Sequence, residues 1–180
     1  ASWQLMESLW ASRELGLNRF VSEQPPYHLL DRTIERELVP MAQTYGIALL
    51  PWSPLARGFL TGKYRRDEDP PEGSRLAGDN APREQQLFSE ASWAVLDVVR
   101  SLARRHECTP SQVALAWVMA QPGVTSTIIG PRTLEQLEDN IGAVDVTLTT
   151  QDLVELDEVA PPRRAIAEYY RADFGPHRFR

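Results

Sequence analysis

Ile47-Ala48-Leu49-Leu50-Pro51-Trp52-Ser53-Pro54-Leu55-Ala56-Arg57-Gly58 is the stretch that decides the fold. Its first four residues form a near-continuous apolar run of strand length. That is the pattern of a strand buried on both faces, and such strands belong to parallel sheets covered by helices. The run ends on an aromatic and a hydroxyl, Trp52-Ser53, and then on small residues and Pro54. In an α/β sheet or barrel, ligands bind where strands end at their carboxyl side, so this end is the first place to look for chemistry.

Working outward, the pattern alternates. Residues 2–15 read as a helix, with Trp3, Met6, Leu9 and Trp10 at helical spacing and Gly16 as its stop. Phe20-Val21-Ser22-Glu23-Gln24 reads as a short strand closed by Pro25-Pro26. A helix is predicted over 33–45, with Ile34, Leu38, Val39 and Met41 on one side and Gly46 at its end. After the central strand comes a polar, Pro- and Gly-rich stretch over 51–83. Its portion 62–83 is too long for an ordinary connection, and a loop of that length is expected to be functional or disordered. Residues 84–106 return to helix, with Phe88, Ala91, Val95, Val99 and Leu102 as the buried stripe. Thr109-Pro110-Ser111-Gln112 is a capping box with Pro at the first helical position. The helix it opens, Val113 to Ala120, is apolar nearly all round and should be deeply buried. Thr127-Ile128-Ile129 reads as a third strand, ending at Gly130. Thr133-Leu134-Glu135-Gln136 opens another helix with a second capping box, a last helix spans about 150–159, and 161–180 is an irregular tail.

Strands alternating with helices imply a parallel sheet. Three strands are few for this many helices, and a closed (β/α)8 barrel takes about 250 residues. The 180 residues therefore read as one partial domain, part of such a barrel whose first strands are not in the chain. The chain starts at Ala1 rather than Met, so it is expected to begin after processing, cleavage or a cloning boundary.

Composition bounds the function. Apolar residues at 42% and charged residues at 24% are the balance of a globular protein. The net charge of −6 argues against a nucleic-acid partner. The basic clusters Arg163-Arg164 and His177-Arg178-Phe179-Arg180 are short and read as solvated. A single cysteine, Cys108, excludes an internal disulfide and fits a reducing, cytoplasmic compartment. No second cysteine or spaced histidine completes a metal site around it. No apolar run approaches the ~20 residues of a membrane span, and no signal peptide is read.

The segment Pro51-Trp52-Ser53-Pro54-Leu55-Ala56-Arg57-Gly58-Phe59-Leu60-Thr61-Gly62-Lys63-Tyr64 resembles the aldo-keto reductases, in the branch that includes bacterial reductases and potassium-channel β subunits. Three further segments agree. Ser22 to Arg32 is similar to the family's sixth strand and its exit. Ile128-Ile129-Gly130-Pro131-Arg132-Thr133-Leu134-Glu135-Gln136-Leu137-Glu138-Asp139-Asn140 is similar to its eighth strand and following helix. Gly73-Ser74-Arg75 lies where the family places a basic cofactor contact. The resemblance runs in order over residues 1–160 and implies strands 6–8 with helices 5–8 of a TIM barrel.

It also implies an NADP(H) site. Trp52 would stack on the nicotinamide, which suits a planar aromatic at a strand end. Gln24 would hydrogen-bond the carboxamide. Ser53, Pro54, Leu55, Ala56 and Gly58 would wrap the pyrophosphate, small residues letting backbone N–H groups approach; a plain tight turn would use Pro54 and Gly58 as well. Lys63, Arg75 and Arg132 would carry charge to the phosphates, favouring NADP over NAD. Gly130 ends the third strand beside them. Gln136, Asp139 and Asn140 would hold the adenine and its ribose, although Gln136 has a rival duty in the capping box.

The activity implied is reduction of a small carbonyl substrate, an aldehyde or ketone, to an alcohol. In the family a Tyr protonates the carbonyl oxygen, aided by a Lys–Asp pair and a His, all from early strands. No such quartet has a matching position here, and Tyr27, Tyr45, Tyr64, Tyr169 and Tyr170 are not in its context, so the chain alone is expected to be inactive. Two other readings remain: a non-catalytic NADP(H)-binding regulatory module, and a half-barrel that pairs with itself or with a missing amino-terminal half to cover its open sheet edge. The glycines at 58 and 62 mimic a P-loop, but they are one residue too close and Tyr64 replaces the magnesium-binding Ser or Thr. No Gly-x-Gly-x-x-Gly is present, so a Rossmann domain has no support. His28, near a strand exit, is expected at the surface or behind the site.

Overall fold

The computed structural model describes residues 2–77 and 85–168. The elements run α1 (Ser2–Glu14), β1 (Ser22–Glu23), a 3-10 turn (Thr33–Arg36), α2 (Leu38–Tyr45), β2 (Ala48–Leu49), a 3-10 segment (Ala56–Thr61), a 3-10 turn (Gln85–Phe88), α3 (Glu90–Arg105), α4 (Pro110–Met119), α5 (Leu134–Ile141), a 3-10 turn (Gly142–Asp145) and α6 (Thr150–Val159).

The expected parallel arrangement is present in abbreviated form. β1 and β2 pair in parallel, Ser22 with Ala48 and Glu23 with Leu49. The register continues to a parallel bridge between Pro26 and Trp52. Pro25, Pro26 and Pro51 have no N–H to donate, so the ladder between them thins to isolated bonds. The predicted strand 127–129 is likewise reduced to bridges, Val124 with Leu49 and Ile128 with Trp52. Three steps along one chain face four along the other, the signature of a bulge. It breaks the ladder, while Thr125 N–H to Leu49 O (2.9 Å) and Ile128 N–H to Pro51 O (2.7 Å) keep the segment beside β2.

The predicted helix 33–45 is split in two. Pro40 cannot sit in a helix interior without clashing with the carbonyl four residues back. α2 therefore starts at Leu38, which puts Pro40 in its first turn, and Glu37 breaks from helical geometry at φ −135°. The predicted helix 84–106 starts late for a positive reason. Ser89 is its N-cap, accepting from Ser92 N–H at 3.2 Å, so α3 begins at Glu90. In α1 the buried stripe is not the tryptophan one. Leu5 and Leu9 pack on the small cluster of Val39, Ala42, Ile47 and Leu49, whereas Trp3 and Trp10 are exposed.

The main core lies between α3, α4 and α6. Val95, Leu96, Val99 and Leu102 meet Val113, Ala114, Trp117 and Val118, with Leu156 closing the other side. α4 is buried along nearly its whole length, as its all-round apolar pattern requires. A buried guanidinium, Arg32, ties β1's exit to this core. It bonds Glu35, Asp157 and the Ala160 carbonyl and lies 5.0 Å over the Trp117 ring. Its partners hold its pKa up although burial alone would lower it. The tail returns to this corner: Ile166 and Ala167 N–H groups bond the Leu30 carbonyl. Residues 78–84 of the long loop, and Tyr169, Tyr170, Phe174 and the basic end at 177–180, lie outside the described residues.

Candidate functional site: a cationic groove at the strand ends

A groove of about 830 Å³ opens where β2 and the 124–130 segment end. Its first wall is the turn after β2, contributing Trp52, Ser53, Pro54, Leu55, Gly58 and Lys63. Its second is the end of the 124–130 segment and one side of α5 from its lead-in to its last turn, contributing Gly130, Arg132, Gln136, Asp139 and Asn140. Arg75 and its neighbours Gly73 and Ser74 come from the long loop. Residues from three distant parts of the chain thus converge, twelve of the fourteen that the sequence nominates.

The turn has unusual backbone geometry. Ser53, Ala56 and Arg57 have left-handed φ values of 56°, 47° and 57°, and Gly58 follows at 90°. For residues with a Cβ this conformation costs roughly 1–2 kcal/mol each. Internal bonds hold it: Ala56 N–H to Ser53 O (2.9 Å), Gly58 N–H to Leu55 O (2.8 Å) and Leu60 N–H to Leu55 O (3.2 Å). Beneath it, Phe59, Tyr64, Phe88 and Trp93 form an aromatic floor, with Phe59 and Trp93 rings 4.8 Å apart. Glycine at 58 is favoured by its φ of 90°, which side chains rarely adopt, and a Cβ there would also press on the flexible end of Lys63 at 3.1 Å. The end of the turn is clamped by Arg100, which donates to Gly62 O (2.9 Å) and Tyr64 O (3.1 Å).

Two nominated residues do not line the groove. Ala56 is turned into the core, and its N–H is committed within the turn, so its contribution is to shape the backbone. The Gln24 side chain is exposed; the residue acts through its main chain, its carbonyl accepting the Trp52 indole N–H at 2.9 Å and so fixing the ring. Gln136 does not close a capping box on Thr133. Thr133 accepts from Gln136 N–H (3.2 Å), but the Gln136 side-chain oxygen reaches one residue further and accepts from Arg132 N–H at 2.9 Å.

Among the described residues four cationic side chains line the groove, Arg57, Lys63, Arg75 and Arg132, against the one carboxylate of Asp139. Such a lining suits an anion with several charges. Arg132 also touches the Gly73 carbonyl, at 3.4 and 3.5 Å, so the long loop and the α5 wall meet across the groove. Ser74 Oγ is buried with no hydrogen-bond partner among the described residues, a polar atom that a bound ligand can satisfy. Arg57, Thr61 and Ser111 were not nominated. Arg57 sits inside the quoted motif, and its cationic side chain was the available signal. Ser111 is a hydroxyl in the first turn of an otherwise apolar helix, a signal that the capping box obscured.

His28 is buried rather than at the surface. Its Nδ1 accepts from Asp31 N–H at 3.1 Å. Burial pushes its pKa down to about 4, with Asp31 opposing and Arg57 adding to the shift, so at neutral pH it is an uncharged support behind the turn. Cys108 is half-buried and its thiol pKa is raised by burial. Among the described residues no group of three or more His, Cys, Asp or Glu side chains could hold a metal, and no helix is long and apolar enough to cross a membrane.

A profile of the Aldo/keto reductase family matches residues 1–161. A provisionally named voltage-gated potassium channel subunit beta of Schizosaccharomyces pombe is 40% identical over 77% of this chain and 42% of its own. The uncharacterized oxidoreductase YrpG of Bacillus subtilis is 35% identical over 89% of this chain and 47% of its own. A provisionally named aldo-keto reductase 1 of Glycine max is 35% identical over 83% and 42%. The chain spans about half the length of these relatives. Strand ends, groove and sequence likeness agree, and the chain belongs to the aldo/keto reductase family.

Proposed function

We propose that this chain is the NADP(H)-binding portion of an oxidoreductase that reduces aldehydes or ketones to alcohols. The observation that carries the reading is the four-cation groove at the strand ends, with Trp52 at one side and Asp139–Asn140 at the other. Its donor set fits a dinucleotide carrying an extra phosphate. Trp52, held by the Gln24 carbonyl, orients the nicotinamide. Gly58 keeps the turn open beside Lys63, and Ser74, Arg75 and Arg132 take the phosphates. Gln136, Asp139 and Asn140 hold the adenosine end. When bound, the cofactor supplies hydride; this chain's residues bind it, orient it and neutralise its charge.

On this reading the segment corresponds to strands 6–8 of a TIM barrel. The family's Asp, Tyr, Lys and His have no matching position in residues 1–180, so the chain alone holds cofactor without turning over a carbonyl. Exposed Phe20 and Val21 beside β1, and exposed Ile128, support contact with a complementary half-barrel. A cytoplasmic location belongs to the same reading and rests on the single cysteine. Fluorescence titration of the chain with NADPH tests it: saturable binding supports the reading, and its absence rejects it.

The likeness to a channel β subunit favours a second reading, an NADP(H)-binding regulatory module. The two part on turnover: if the chain reconstituted with its complementary half consumes NADPH in the presence of an aldehyde, the enzyme reading stands, and binding without consumption favours the module.

A further inference from the structure

Gln112, the third residue of α4, does two things with one amide. Its Oε1 accepts from Thr109 N–H at 3.1 Å while Thr109 Oγ1 accepts from Gln112 N–H at 3.2 Å, which closes the reciprocal cap of α4. Its Nε2 donates to the Asp139 carbonyl at 2.8 Å, in the last turn of α5. The cap fixes which atom is the acceptor, so the amide plane can point its donor in only one direction. Gly142, just past α5, makes room for it: a Cβ there would stand 2.4 Å from Gln112 Nε2. The carbonyl so gripped belongs to the Asp139–Asn140 pair, which lines the groove, whereas Gln112 and Gly142 do not.

We infer that Gln112 is a positioning residue for the adenosine end of the groove. It locks Asp139 and Asn140 to the start of α4, and position 142 is glycine to admit its amide. The inference rests on the dinucleotide reading and extends it to a residue that never touches the ligand. A merely structural role would weaken every ligand alike; a positioning role weakens only those held by Asp139 and Asn140.

Gln112→Glu separates the two. It keeps an oxygen for the Thr109 N–H, so the cap persists, but turns the donor facing the Asp139 carbonyl into an acceptor. Binding of adenosine 2′,5′-bisphosphate, measured by calorimetry on the chain, is expected to weaken about tenfold, the worth of one well-placed hydrogen bond. Binding of reduced nicotinamide mononucleotide should change less than about twofold. Should the Glu variant lose helical circular dichroism, Gly142→Ala makes the same test by displacing the amide from outside the groove. Equal weakening of both ligands, or none, overturns the role of Gln112. If the parent chain binds neither ligand, the groove reading itself fails and this inference fails with it.

Discussion

The Gln136 side-chain oxygen accepts a 2.9 Å hydrogen bond from the backbone N–H of Arg132, four residues earlier. The bond holds the residue before the N-cap of α5 against the helix that it leads into, and so aims the Arg132 side chain across the groove toward Gly73. Gln136→Leu removes both this bond and the residue's own place at the adenosine end of the groove, and should weaken NADPH binding at least about fivefold. Gln136→Glu keeps the acceptor and should retain more of the affinity. Fluorescence titration of both variants checks the order.

His28 links stability to pH. Its folded pKa, about 4, lies below the ordinary value near 6.5. Between these values the unfolded chain takes up a proton that the folded chain refuses. Stability contributed by the neutral ring is present above pH 6.5, is lost as pH falls toward 4, and changes no further below that. His28→Gln should remove this part of the slope. Urea midpoints of parent and variant at pH 7 and pH 4.5 should differ less at the lower pH.

Asp152 works in the opposite corner of the scale. Burial alone would raise its pKa, but bonds from Thr149 N–H (2.7 Å) and Thr149 Oγ1 (2.8 Å), with His106 and Arg105, outweigh this and hold it at about 2. A lowered carboxylate stabilises above its unfolded value near 3.9 and stops doing so as pH falls through the folded one. Asp152→Ala should cost at least about 1 kcal/mol at pH 7, because it removes the acceptor of the Thr149, Arg105 and His106 bonds while Thr149 still caps α6 through the N–H of residue 152. In thermal melts the difference from the parent should shrink between about pH 4 and pH 2.

The elements were legible where side-chain period and caps agree. The all-apolar Val113–Val118 run and its Thr109 cap specify α4 without help from the rest of the chain. The strands were legible in place but not in extent, because ladder bonds depend on neighbours: Pro25, Pro26, Pro51 and the bulge opposite Leu49–Trp52 shorten them. In α1, of the helically spaced set Trp3, Met6, Leu9 and Trp10, Leu9 packs with Leu5 on the α2 and β2 cluster whereas the two tryptophans lie exposed. Much of the groove could be named from motif likeness, yet the side chains of Gln24 and Ala56 point elsewhere. Local motif reading gives residue order, whereas the left-handed turn at 53–58 decides which side chains face the groove.

On the proposed reading the groove takes NADP(H) through its cations. The most direct measurement is parallel titration of the parent chain and its Arg75→Ala and Arg132→Ala variants with NADPH and NADH. Each lost charge-assisted contact is expected to weaken NADPH by roughly tenfold or more and NADH much less. Saturable NADPH binding that both variants impair selectively is the predicted result. Absence of binding by the parent, or equal loss for the two cofactors, would contradict it.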